Sequence, residues 1–126
     1  MKIRKASEDY LEAMLMTKEK YGYIRSVDVA DYLGVTKPSV SYSTRRLREN
    51  GYIVMDKTGL ITLTDKGMRI AQNVYARHRL LSSFLISIGV DEKTAREDAC
   101  KIEHDISQQT FDALCRQTAL IESSKN

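Results

Sequence analysis

Cys100, Glu103 and His104 stand at i, i+3 and i+4, so on a helix a thiol, a carboxylate and an imidazole share one face. That spacing lets one helix offer three ligands to one metal ion. The other histidine, His78, falls in a long amphipathic stretch. Asp9 and Glu12 repeat the i, i+3 spacing near the N-terminus. Hard oxygens with imidazole suit Mn²⁺ or Fe²⁺, and sulfur draws the preference toward Fe²⁺, Zn²⁺ or other softer ions. Each residue also has a plainer use. Asp9 and Glu12 could line a solvated helix face, His78 could be a structural histidine, and Cys100 could be a small buried hydrophobe. The Cys-x-x-Glu-His grouping, taken with the rest of the set, favours the metal.

The elements that must position these residues can be read from 126 residues that are 42% hydrophobic and 29% charged, with one Pro and six Gly. Those values exclude a disordered chain, and so few breakers favour a mainly helical protein. No apolar run approaches the roughly 20 residues of a bilayer span. The basic start Met1–Lys5 is followed by no apolar signal region, and two cysteines form no disulfide framework. A cytoplasmic protein with no membrane role is expected. Residues 1–80 hold 15 of the 20 basic and 9 of the 17 acidic side chains, a balance of +6; residues 81–126 hold 5 and 8, a balance of −3. A basic front half suits a polyanion.

The spacing predicts a first helix from the cap Ser7 to about Tyr21, with Leu11, Met14 and Leu15 on one stripe and Tyr10 beside it. A short helix follows over 26–33, capped by Ser26 and stopped at Gly34. A third helix opens at Thr36, with Pro38 in its first turn, and ends near Gly51. Strands are expected at 52–55 and 60–63, joined by the turn residues Asp56-Lys57-Thr58-Gly59. Three further helices follow: one capped by Thr64 or Asp65 and reaching about Ile88, one from about Glu92 to Ile106 after the cap Asp91, and one from about Gln108 to Ile121 after the cap Ser107. The tail from Glu122 to Asn126 is polar and expected to fray.

Ala30, Gly34 and Val40 carry the small residue, turn glycine and inward aliphatic of a helix-turn-helix, and the hairpin after it makes the winged variety. In that geometry the start of the second helix enters the major groove. Thr36, Lys37, Pro38, Ser39, Ser41 and Tyr42 are the candidates for base edges, with hydroxyls on Ser39 and Tyr42. Arg45, Arg46 and Lys57 at the wing tip are candidates for phosphate; Arg48 fits a solvated face better. One such module reads one half-site, so a homodimer on double-stranded DNA is expected. Ile102, Ile106, Phe111, Leu114 and Leu120 are spare apolar residues for its interface.

Several blocks now carry a resemblance: Ser7-Glu8-Asp9-Tyr10-Leu11-Glu12; Val35-Thr36-Lys37-Pro38-Ser39-Val40; Leu63-Thr64-Asp65-Lys66-Gly67; Arg77-His78-Arg79-Leu80-Leu81; and Ala99-Cys100-Lys101-Ile102-Glu103-His104. In these the chain resembles the metal-dependent repressors of the diphtheria toxin repressor and manganese transport regulator (DtxR/MntR) family, in the short form without an SH3-like domain. The resemblance implies an N-terminal winged helix-turn-helix DNA-binding domain over residues 1–70. It implies an all-helical metal-binding and dimerisation domain over 71–126, sharing its metal ligands with helix 1. Carried over by position, the ligands are Asp9, Glu12, His78, Cys100, Glu103 and His104. Family members bind palindromic operators as homodimers once loaded with Mn²⁺ or Fe²⁺, and typically repress metal-uptake genes.

The chain departs from both branches of that family. The manganese branch has glutamate where Cys100 stands, and the iron branch has methionine where Asp9 stands. Ser82 occupies the place of an acidic residue in a second site of the iron branch. Three carboxylates favour Mn²⁺, with Fe²⁺ second and Zn²⁺ or Cd²⁺ expected to bind in vitro. Uptake needs thiolate and neutral imidazole, so affinity is expected to fall as pH drops through the histidine range. The residues also admit two rival functions. One is a metal-independent winged-helix regulator sensing a small molecule or redox state through Cys100 and Cys115. The other is a metal-dependent hydrolase, against which stands the lack of a nucleophile elbow, HExxH or phosphate loop.

Overall fold

The computed structural model describes residues 5–124, with side chains from Lys5 to Leu120. The extreme basic residues 1–4 and the last two residues of the polar tail lie outside that range. The chain folds into two compact units, the first up to Asn73 and the second from Val74. No helix among the described residues is long and apolar enough to cross a membrane.

The first unit contains α1 (Lys5–Tyr21), β1 (Ile24–Arg25), α2 (Ser26–Leu33), α3 (Lys37–Glu49), β2 (Ile53–Met55), β3 (Leu60–Leu63) and the start of α4 (Asp65–Ser87). Leu11, Met14 and Leu15 are buried on the expected stripe of α1, with Tyr10, and α1 packs on α2 and β1. Ser7 lies inside the first turn of α1 rather than capping it, because the helix already runs from Lys5. Ser26 likewise starts α2, and Arg25 takes the cap position without a side-chain bond. Gly34 ends α2 at φ 68°, a left-handed conformation that side chains other than glycine's disfavour. Thr36 caps α3 by accepting from the Ser39 amide. Ala30 and Val40 are buried where the two helices meet.

The wing is an antiparallel hairpin, β2 on β3, with Val54 opposite Thr62. Asp56 closes its turn by accepting from the amides of Thr58 and Leu60 and from the Thr58 hydroxyl, which hold its carboxyl below the usual carboxylate range. Sequence reading misses β1, which pairs with β3 and makes the sheet order β1-β3-β2. Two residues are too short to display alternation, and only the burial of Ile24 betrays the strand. Thr64 caps α4 by accepting from the Gly67 amide. Gly67 sits so close to the Tyr52 carbonyl that a Cβ there would run into its oxygen.

The second unit consists of the rest of α4, then α5 (Glu92–Ile102) and α6 (Gln108–Ser124). Val74, Leu81, Ala95 and Ala99 are buried. Asp91 and Ser107 cap α5 and α6 as expected, each accepting from the amide three residues on. Two boundaries differ from expectation. The backbone of α6 continues through Glu122 to Ser124 instead of fraying at Glu122. Helix α5 stops at Ile102, four residues before Ile106, because the chain turns through Glu103 to Ile106 to reach α6.

Candidate metal centre and nucleic-acid interface

The early end of α5 changes how its ligands are presented. Cys100 lies on the last turn of the helix. Glu103 is the C-cap, still near helical geometry, with its amide bonded to the Ala99 carbonyl. His104 falls in the following turn. The three residues are therefore not on one continuous helix face as the spacing suggested.

The centre of the arrangement is the Glu103 carboxylate, only 1% exposed. Its Oε2 lies 2.9 Å from His78 Nδ1 on α4, and its Oε1 lies 3.3 Å from His104 Nε2. Cys100 Sγ is 3.7 Å from the same His78 nitrogen. Ligand atoms of His78, Cys100 and Glu103 all lie within 4.8 Å of one another. Cys100 is exposed, which rules out its use as a buried hydrophobe; Cys115 is half-buried on α6. The bonds from Cys100 and Glu103 outweigh burial and raise the His78 pKa from 6.5 to about 10. Thiolate, imidazole and carboxylate around one point fit a divalent transition metal. Removing a buried carboxylate from water is costly unless a cation or hydrogen-bond donor faces it, and here the protonated His78 imidazole does.

In the first unit Asp9 and Glu12 lie on α1, with Asp9 half-buried and Glu12 buried at 9% exposure, so they do not form a solvated face. Ser82 is buried on α4.

The nine residues assigned to DNA are all exposed: Thr36, Lys37, Pro38, Ser39, Ser41, Tyr42, Arg45 and Arg46 on or capping α3, and Lys57 in the wing turn. Val40, Thr44 and Leu47 take the opposite, buried face of α3. Two hydroxyls assigned to base edges also have partners within the unit. Ser39 Oγ accepts from the Thr36 hydroxyl at 3.0 Å, and Tyr42 Oη accepts from Arg46 Nη1 at 2.9 Å.

Residues 2–60 match the N-terminal DNA-binding domain of the iron-dependent repressors, and residues 64–124 match the metal-binding and dimerisation domain of the same proteins. The chain belongs to the iron-dependent repressor family. Within that family it is similar to the transcriptional regulator MntR of Lysinibacillus sphaericus, at 34% identity over 93% of this chain and 84% of the relative. A solved manganese-dependent transcriptional repressor in complex with manganese superposes with a TM-score of 0.82 at 29% identity, over 90% of this chain. The regulator ScaR with bound Zn²⁺ superposes with a TM-score of 0.71 at 26% identity, over 88% of this chain. The chain spans about half the length of these solved structures, 52% in each case. Iron-dependent repressor membership makes the chain a metal-dependent transcriptional regulator with a winged helix-turn-helix, and not an enzyme. The hydrolase alternative is thereby set aside.

Proposed function

We propose that this regulator is a Mn²⁺-activated repressor of metal-uptake genes, acting in the cytoplasm as a homodimer on palindromic operator DNA. Residues 1–70 bind DNA, and residues 71–126 bind metal and dimerise. The observation that carries the reading is the convergence of His78, Cys100 and Glu103 within one unit of a regulator fold. The full ligand set of the proposal is Asp9, Glu12, His78, Cys100, Glu103 and His104. A divalent ion held there offsets the charge of the carboxylates and the thiolate.

Each group has its own task. Asp9, Glu12 and Glu103 supply hard oxygens, which favour Mn²⁺; Cys100 keeps Fe²⁺ a close second and admits Zn²⁺ and Cd²⁺ in vitro. Ligands drawn from both parts of the chain restrict their relative motion, so less ordering remains for DNA to impose. That is positive coupling between metal and operator. Thr36, Lys37, Pro38, Ser39, Ser41 and Tyr42 face the bases, and Arg45, Arg46 and Lys57 the phosphates.

The test is a titration of Mn²⁺ against binding of a palindromic duplex, with chelator as control, beside the sedimentation state of the loaded protein. Metal-dependent binding by a dimer is expected, and loss of that dependence in His104→Ala. A monomer at micromolar concentration with metal present, or a His104→Ala protein that responds to metal as wild type does, overturns the reading.

A further inference from the structure

We infer that Arg77 is a positioning residue for the metal centre, holding the main chain that presents Glu103 and His104. The inference rests on the ligand set proposed above. Arg77 and His78 are neighbours on α4, and they engage Glu103 by different parts. His78 meets the carboxylate. Arg77 Nη1 donates to the Glu103 carbonyl at 3.3 Å and to the Ile106 carbonyl at 2.8 Å. Arg77 Nη2 donates to Gln108 Oε1 at 3.2 Å, and the guanidinium lies 5.3 Å from the Phe111 ring centroid on α6.

The physical reason lies in how α5 ends. The last carbonyls of a helix have no partner within it, and they carry the negative end of the helix dipole. At the C-cap Glu103 carbonyl a cationic donor satisfies both needs at once, and the bond to the Ile106 carbonyl holds the far end of the turn, just before the α6 cap Ser107. The turn from Glu103 to Ile106 carries two ligands and no regular structure, so few main-chain bonds fix it; one is Asp105 N to Ile102 O at 3.1 Å. The planar guanidinium spans that turn, reaching the carbonyls of Glu103 and Ile106 together. A lysine ammonium is a point donor and cannot reproduce the fork.

The sign of the effect separates positioning from charge. A cation close to a metal site repels the ion, so removing it should tighten metal binding if Coulomb repulsion were its main influence. Positioning predicts the reverse. The experiment measures Mn²⁺ affinity of the full chain by competition with a metal-binding dye, beside the unfolding midpoint of the metal-free protein. Arg77→Met should weaken Mn²⁺ binding by about tenfold to a hundredfold, the range for groups that orient ligands. Arg77→Lys should recover only part of the loss. Gln108→Ala, which leaves both main-chain bonds in place, should stay within about twofold of wild type. A folded Arg77→Met protein that binds Mn²⁺ as well as wild type, or better, overturns the inference. If that variant does not fold, Arg77→Lys decides: affinity within about twofold of wild type overturns it equally. A wild-type chain that takes up no Mn²⁺ overturns instead the ligand reading beneath it.

Discussion

His78 Nδ1 lies 2.9 Å from Glu103 Oε2, so the imidazole and the carboxylate hold a proton between them when no metal is bound. With Cys100 on the same nitrogen, this raises the His78 pKa to about 10. The metal must displace that proton.

The pH dependence therefore shifts from the ordinary histidine range expected from the sequence. His78 is protonated in the metal-free fold and neutral in the metal-bound one, so it releases one proton on binding, beside any that the Cys100 thiol gives up. Apparent Mn²⁺ affinity should keep rising by at least about tenfold per pH unit from about pH 6 to pH 8.5, without levelling near 6.5. Metal-free stability should move the other way. The protonated pair contributes fully below 6.5, and the contribution is lost as pH rises through about 10. Proton release by calorimetry in two buffers of different ionisation heat, with denaturation midpoints across pH, measures both.

Metal preference should follow the donor atoms. Cys100→Glu replaces sulfur by oxygen and should move the Mn²⁺ to Fe²⁺ affinity ratio toward Mn²⁺ by roughly tenfold. Asp9→Met removes a hard oxygen and should move the same ratio toward Fe²⁺. Anaerobic competition titrations with both ions check the two directions.

Tyr42 and Arg46 should not act independently on DNA. The sequence assigned one to base edges and the other to phosphate, but the guanidinium donates to the phenol oxygen one turn away. Arg46→Ala should lower the slope of log K against log salt by about 0.9 and weaken operator and random DNA alike. Tyr42→Phe keeps the ring and removes the acceptor. A double-mutant cycle between them should show a coupling of about 0.5–1.5 kcal/mol in operator affinity. Additive losses would show that the bond is equally strong in the free protein and in the complex.

Gly67→Ala should destabilise the first unit. The added methyl meets the Tyr52 main-chain oxygen, which cannot swing away as a side chain end can. A loss of about 1–3 kcal/mol is expected from overpacking, read as a lower denaturation midpoint. Gln72→Ala, at an exposed position of the same helix, should change it by under about 0.5 kcal/mol.

Elements with local signals were legible in the residues alone. Apolar spacing marked α1 and α4, the caps Thr36, Asp91 and Ser107 marked where helices begin, and Gly34 marked where α2 ends. Residue type and spacing also picked out His78, Cys100 and Glu103, because few side chains bind metal. The remaining features depend on partners distant along the chain. The strand β1 exists because β3 lies beside Ile24 and Arg25, and two residues hold no period of their own. Helix α5 stops at Ile102 and not at Ile106, and the turn that follows is bonded by Arg77, 26 and 29 positions earlier than the carbonyls it meets. Those bonds form only when α4 is in place, so nothing local announces them. The His78 pKa is decided in the same way, by two groups that lie 22 and 25 residues away along the chain and within 3.7 Å in space.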